Sequence, residues 1–129
     1  MDVTALSPST LAFVGDAYYG LLVRDMLAEI NRPVGELHAS SVKLVKAGAQ
    51  AQAFEAVAPF LTEKELAVYK RGRNTHVNTV PKNATVAEYH SATGVEALFG
   101  YLHLSGEDER AKELFSIIIE AVNGKTISE

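Results

Sequence analysis

The feature of this sequence that most constrains the fold is a helical spacing of apolar residues along nearly the whole chain, interrupted by helix start signals. Ser7 followed by Pro8 is typical of an N-cap with proline in the first turn. Thr62 with Glu65, and later Thr85 with Glu88, have the spacing of a capping box. These signals predict helices over about 8–29, 36–58 with a kink near Gly48, 62–71, 85–104 and 108–122, with a stop at Asn123 and Gly124. A loop is expected over 72–83, no convincing strand is found, and the fold class is all-α.

Length and composition narrow the class of protein. A chain of 129 residues is long enough to bury a core as one domain, which we expect to span 1–129. The absence of cysteine excludes disulfides and thiolate metal sites and favours a cytoplasmic protein. No basic residue precedes Arg24, so the N-terminus does not resemble a signal peptide. The apolar run 11–23 is too short to span a bilayer, and no membrane partner is expected.

The charge is unevenly distributed. The net charge is −4, yet the segment 70–83, called the basic segment below, carries Lys70, Arg71, Arg73 and Lys82 and no acid. A local concentration of cations on an acidic protein can bind a polyanion such as a nucleic acid. An ordinary solvated surface is the equally acceptable alternative at this point.

One carboxylate stands inside the apolar stretch "LAFVGDAYYGLLV", residues 11–23. Asp16 has Ala12 four residues before it and Gly20 four residues after it, and Glu96 lies in the same way between Ala92 and Gly100. Helical residues four apart share a face, so helices that cross at these small residues would bring the two acids together. We expect two buried carboxylates there, whose repulsion a divalent cation with oxygen ligands would relieve.

A structural alternative stays open for this pattern. Asp16 would then form an ion pair with Arg24 or Arg71 inside a tightly packed helical core. The four histidines lack the spacing of metal ligands. His103 is predicted to share a face with Glu96, which leaves a supporting role beside the acids open.

Five segments in this order resemble the Mini-III branch of the ribonuclease III family: "LAFVGDAYYGLLVRDML", "LHASSVKLVKAGAQAQAF", "KRGRN", "VPKN" and "YHSATGVEALFGYLHL". The resemblance covers roughly residues 8–105. It implies one ribonuclease III-like helical endonuclease domain that acts as a homodimer and cuts double-stranded RNA with Mg²⁺. It also implies a role in maturation of the 23S ribosomal RNA precursor, with a ribosomal protein that remodels the substrate as a further candidate partner.

The resemblance also implies roles for individual residues. Asp16 and Glu96 match the acids of the two active-site motifs, as catalytic residues and metal ligands. The larger ribonuclease III enzymes carry two more acids, at the positions of Ala12 and Thr93 here, so a complete metal site of that kind is not expected. The residues implied to contact RNA are Lys70, Arg71, Arg73, Asn74 and Lys82. The residues after the last motif are predicted to form one helix, so a separate double-stranded-RNA-binding domain is not expected.

Two other functions compete with this interpretation. One is a non-catalytic RNA-binding or ribosome-assembly protein on the same fold, in which Asp16 and Glu96 are structural. The other is a helical, metal-dependent nucleotide pyrophosphohydrolase. That class would show a denser Glu-x-x-Glu array than this sequence supplies.

Overall fold

The chain folds entirely into helices over the residues that the structure, a computed structural model, describes: 1–75 and 84–128, with side chains through residue 122. The α-helices are α1 (Pro8–Ile30), α2 (Val34–Val45), α3 (Ala47–Val57), α4 (Glu63–Arg73), α5 (Val86–Leu104) and α6 (Asp108–Ser128). Short 3₁₀ helices cover Val3–Ala5 and Ala58–Phe60. No strand occurs in these two ranges, so the all-α prediction is confirmed.

The predicted starts of α1, α4 and α5 are confirmed, and each is fixed by a hydrogen bond to the side chain of its N-cap residue. The Ser7 hydroxyl accepts a hydrogen bond from the Thr10 amide at 3.1 Å. At α4 the Thr62 hydroxyl accepts from the Glu65 amide, and the Glu65 carboxylate accepts from the Thr62 amide in return. The start of α5 has the same reciprocal pair. Such pairs satisfy amides that a helix start otherwise leaves unbonded.

The predicted helix interruptions and ends are less accurate. The region 36–58 is two helices rather than one, and the break falls at Lys46, whose backbone is extended, rather than at Gly48. Helix α4 runs on to Arg73, so the expected loop begins later, and residues 76–83 lie outside the described residues. Helix α6 continues through Asn123 and Gly124 to Ser128. A glycine inside a helix costs only about 1 kcal/mol, which is too little to end one by itself.

Helix α5 is the centre of the domain. Helices α1, α3, α4 and α6 all pack against it. It is therefore apolar or small on several sides rather than along one stripe, as expected for a helix surrounded by others. Its buried residues are Ala92, Gly94, Val95, Ala97, Leu98, Phe99, Gly100, Tyr101 and Leu102. Glu96 thus lies on the most enclosed helix of the protein.

Helices α1 and α5 cross with their backbones in direct contact. A Cβ atom built on Gly15 would lie 1.6 Å from the Glu96 carbonyl oxygen, and one built on Gly100 would lie 1.9 Å from that of Leu11. Only glycine fits at either position. A crossing at small residues was predicted, but Gly20 is the wrong partner, because its Cβ would meet only the Arg24 side chain, at 3.3 Å. The crossing at Gly15 places the next residue, Asp16, beside Glu96.

Among the helices in the described ranges, none combines the length and the apolar character needed to cross a membrane.

Candidate active site

The two acids predicted to meet do so at the crossing of α1 and α5. Because Gly15 packs on the Glu96 backbone, the Asp16 carboxylate lies beside that of Glu96, near enough to affect its pKa. The expectation that both would be buried is wrong, because Asp16 is exposed and Glu96 is half-buried. The burial of Asp16 was expected because the stretch 11–23 around it is apolar. One face of this stretch, with Phe13, Ala17 and Leu21, is nevertheless exposed to solvent. Asp16 therefore faces solvent, and Glu96 lies deeper beside it.

The environment of Glu96 favours its neutral form. Burial is the main cause and, with the hydrogen bond and negative charge of Asp16, raises the pKa of Glu96 to about 8. An interaction with the Gln50 side chain opposes this rise in part. A cation between the two carboxylates would instead lower the pKa of Glu96, because it would favour the ionised form of both groups.

The ion-pair alternative for Asp16 is wrong for the described residues. No ion pair joins Asp16 to Arg24 or to Arg71, and the Arg71 guanidinium instead donates to the Leu6 carbonyl at 3.5 Å. A partly buried ion pair lies elsewhere, between α4 and α6. Buried Glu65 on α4 accepts from Arg110 Nε at 2.8 Å, which lowers the pKa of Glu65.

The two positions at which the resemblance implies further acids in larger enzymes have structural roles here. Ala12 is buried in the core, and the Thr93 hydroxyl donates to the Tyr89 carbonyl at 3.0 Å within α5. In the described part of the chain, no group of three or more histidine, aspartate or glutamate side chains could hold a metal ion. Asp16 and Glu96 thus offer a pair of anionic ligands.

His103 does not support this pair. Its Nδ1 lies 2.8 Å from an Asp108 carboxylate oxygen, and its ring stacks on Tyr18 with the centroids 4.5 Å apart. The contact lowers the pKa of Asp108. His103 therefore links α5 to the start of α6.

The described part of the basic segment is the exposed end of α4. Lys70 and Arg71 are exposed, and Arg73 lies over the Tyr69 ring at 5.8 Å while its Nε donates to Asn74 at 3.2 Å. Lys82 lies outside the described residues. A Cβ on Gly72 would lie 3.1 Å from the Thr93 carbonyl, so this basic helix end packs on α5 one turn before Glu96.

Gln50 is the residue of this site that sequence reasoning missed. It lies on α3, is 3% exposed, donates to the Val45 carbonyl at 2.8 Å, and is among the groups that affect the pKa of Glu96. Nothing in the spacing of an alanine-rich helix distinguishes it from the neighbouring Gln52. Its position depends on the helix break at Lys46, which the sequence did not locate.

A helical domain with paired carboxylates at a helix crossing and a basic helix end on the same central helix has the parts of a nuclease. Residues 9–107 match the Ribonuclease III domain. The chain belongs to the ribonuclease III family and is an endoribonuclease.

Curated relatives of similar length are Mini-ribonuclease 3 proteins. The chain is 46% identical over 121 residues to that of Thermoanaerobacter sp. (strain X514), covering 93% of this chain and 85% of the relative. It is 42% identical over 128 residues to that of Streptococcus pneumoniae, covering 96% and 99%. A crystal structure of a Fusobacterium nucleatum protein superposes with a TM-score of 0.85 at 29% identity, covering 93% of this chain and 97% of that one. The resemblance to the Mini-III branch is confirmed.

Proposed function

We propose that this endoribonuclease cleaves double-stranded RNA with Mg²⁺ at the Asp16–Glu96 pair. The observation that carries the proposal is the meeting of these carboxylates at the crossing of α1 and α5, inside a ribonuclease III domain. The raised pKa of Glu96 supports a cation site, because two acids in contact repel unless a proton or a cation lies between them. The same observation disfavours a purely structural role for the pair.

The donor set fits Mg²⁺. This ion prefers oxygen ligands, keeps several waters, and is commonly held by one or two carboxylates together with substrate phosphates. When bound, it would supply charge neutralisation at the scissile phosphate and acidify the attacking water. Asp16, being exposed, is the carboxylate nearer to solvent, and together with the half-buried Glu96 it would hold the ion.

The basic segment is the proposed contact to the RNA backbone. Exposed cations bind phosphates whatever the base sequence, and A-form RNA is recognised mainly by its shape, phosphates and 2′-hydroxyls. The proposed phosphate contacts are Lys70, Arg71, Arg73, Asn74 and Lys82. Because the end of α4 packs on α5 near Glu96, a duplex bound there lies close to the acids.

We also propose a homodimer, since one pair of acids serves one strand and a duplex needs two. Phe13, Ala17 and Leu21 are four residues apart and form an exposed apolar stripe on α1 that flanks Asp16. Phe13 is 80% exposed, and leaving so large an apolar side chain in water is energetically unfavourable for a monomer. A second copy placed by a two-fold axis would cover the stripe with the same stripe.

The likeness to Mini-ribonuclease 3 supports the finer biological role. We propose that residues 1–129 act as the catalytic domain in the cytoplasm, in maturation of the 23S ribosomal RNA precursor. A ribosomal protein that remodels the RNA is the proposed helper.

The test is cleavage of duplex RNA with Mg²⁺ by the wild type, by Asp16→Asn, and by Asp25→Asn, an exposed aspartate on the same helix, as the matched control. We expect Asp16→Asn to lose cleavage but keep duplex binding, because the change removes charge and hardly alters volume. The control should cleave as the wild type does, and chelation of Mg²⁺ should abolish both activities. Substantial cleavage by Asp16→Asn would refute the assignment. Hydrolysis of nucleotides in place of RNA would favour a pyrophosphohydrolase.

A further inference from the structure

The basic end of α4 is joined to the two neighbouring helices through Tyr69. This side chain is 2% exposed, and its ring stacks on that of Phe54 from α3, with the centroids 3.7 Å apart and the planes 3° from parallel. Its hydroxyl forms a 2.8 Å hydrogen bond with the Ser91 hydroxyl on α5. A Cβ atom built on Gly94 would lie 2.7 Å from the same ring, so α5 approaches it as closely as a backbone can. These contacts hold the Tyr69 ring in place.

Arg73 lies one helical turn after Tyr69 and rests on this ring. Residues four apart share a helix face, and the guanidinium carbon of Arg73 is 5.8 Å from the ring centroid, within the range of a cation–π interaction. Its Nε donates to the Asn74 side chain at 3.2 Å. A guanidinium has five N–H donors, and the other four have no acceptor within the described part of the chain. Arg73 is thus fixed in position with most of its donors left for an anion.

The other two cations at this helix end are not held in this way. Lys70 and Arg71 are exposed, whereas Arg73 is half-buried. A long side chain that is free in water loses rotamer freedom when it binds a phosphate, and that loss offsets part of the binding energy. A guanidinium already fixed against an aromatic ring loses less. Arg73 should therefore be the strongest single phosphate contact of this helix end.

We infer that Tyr69 is a positioning residue for RNA binding, whose ring, fixed by α3 and α5, holds the Arg73 guanidinium ready for a phosphate. This inference rests on the proposed function, in which the basic segment contacts the RNA backbone. Tyr69 itself is buried and does not touch the substrate. Its effect is on the affinity for RNA and not on the reaction at the acids.

The test removes the ring by Tyr69→Leu. Tyr101→Leu is the matched control, because Tyr101 is also a buried tyrosine with a cation near its ring, Lys64 at 5.7 Å, but that cation lies at the start of α4. We expect the Kd for a non-cleavable duplex to rise about two- to fivefold in Tyr69→Leu, the range that a cation–π contact supplies. The kcat at saturating RNA should not change. Tyr101→Leu should match the wild type in both.

The salt dependence of binding separates positioning from general damage to the helix end. Tyr69→Leu should keep the wild-type slope of affinity against salt, because Arg73 retains its charge and still displaces counterions. Arg73→Ala should lower the slope by about one unit, as expected for one lost phosphate contact. In an Arg73→Ala background, Tyr69→Leu should weaken binding no further. Tyr69→Phe keeps the ring and should restore wild-type affinity.

If Tyr69→Leu does not fold, nuclear magnetic resonance of the wild type makes the test. The Arg73 Nε–H group should be ordered in the RNA-free protein, as measured by nitrogen relaxation, and that of Arg71 should be mobile.

Wild-type affinity in a folded Tyr69→Leu, an equal loss in the Arg73→Ala background, a lowered salt slope, or an Arg73 as mobile as Arg71 would overturn the inference and leave the proposed function standing. A wild type that does not bind duplex RNA would overturn both.

Discussion

Glu96 should make the stability of the metal-free protein depend on pH. Its pKa is about 8 in the folded protein, against an ordinary value of 4.5. Between these values the folded state binds a proton that the unfolded state has lost, so the free energy of unfolding falls as the pH rises. Stability is full below about pH 4.5 and is reduced once the pH has passed through about 8. The change Glu96→Gln removes the titrating group and imitates its neutral form.

The magnitude follows from the size of the pKa difference. At about 1.4 kcal/mol for each pH unit, the interval from 4.5 to about 8 gives an upper limit of about 5 kcal/mol. Because Asp16 is exposed, solvent screens part of its repulsion, and we expect about half of that limit.

Urea denaturation in a chelating buffer at pH 5 and pH 8.5 measures the effect. The wild type and Glu96→Gln should be equally stable at pH 5, and the variant should be the more stable at pH 8.5. Glu55→Gln, an exposed glutamate on α3, is the control and should follow the wild type. Parallel behaviour of the wild type and Glu96→Gln at both pH values would refute the placement of Glu96 in an enclosed site against Asp16.

The remaining surface predictions concern RNA binding and assembly. The double change Arg71→Ala and Arg73→Ala should weaken binding to duplexes of any sequence and flatten its salt dependence, because fewer counterions are released. Filter binding over a range of salt concentrations measures both, and an unchanged slope would make the basic segment ordinary surface. Phe13→Asp should convert a dimer into a folded monomer, because it places a charge in the apolar stripe on α1. Sedimentation at micromolar concentration checks this, and a wild type that is a fully active monomer would contradict it.

The helix starts that carry a capping side chain could be predicted more reliably from the sequence than the break near Gly48 and the end of α6, for a physical reason. A start is fixed by specific side-chain hydrogen bonds, as at Ser7, Thr62 and Thr85, so it has a local signature. An end depends on weaker preferences that packing can offset. Gly124 therefore did not end α6, and the break between α2 and α3 fell at Lys46 instead of near Gly48.

The approach of Asp16 to Glu96 could be predicted because Gly100, one of the small residues of the pattern, does contact α1, although its partner there is Gly15 and not Gly20. The exposure of Asp16 could not be predicted, because the sequence of an apolar stretch does not reveal which of its residues are buried. Phe13 and Leu21 are exposed although they are as apolar as Leu11, which is buried.

The small number of acids at the site predicts how metal and RNA binding depend on each other. With Ala12 and Thr93 in place of further carboxylates, the described residues offer a pair of anionic ligands, and the raised pKa of Glu96 makes ionisation of one of them unfavourable. Fewer ligand charges give less Coulomb attraction to offset the dehydration that Mg²⁺ resists. A phosphate of the RNA should complete the ligand set, so each partner should strengthen binding of the other by the same factor.

Calorimetric titration of Mg²⁺ into the free protein and into its complex with a non-cleavable duplex measures this coupling. We expect weak binding to the free protein, markedly tighter binding to the complex, and a release of protons that grows as the pH falls below 8, because the cation displaces the proton of Glu96. Asp25→Asn should leave the coupling unchanged. Tight binding to the free protein that RNA does not alter would mean that the protein completes the ligand set without the phosphate, and the two-carboxylate site would then be wrong.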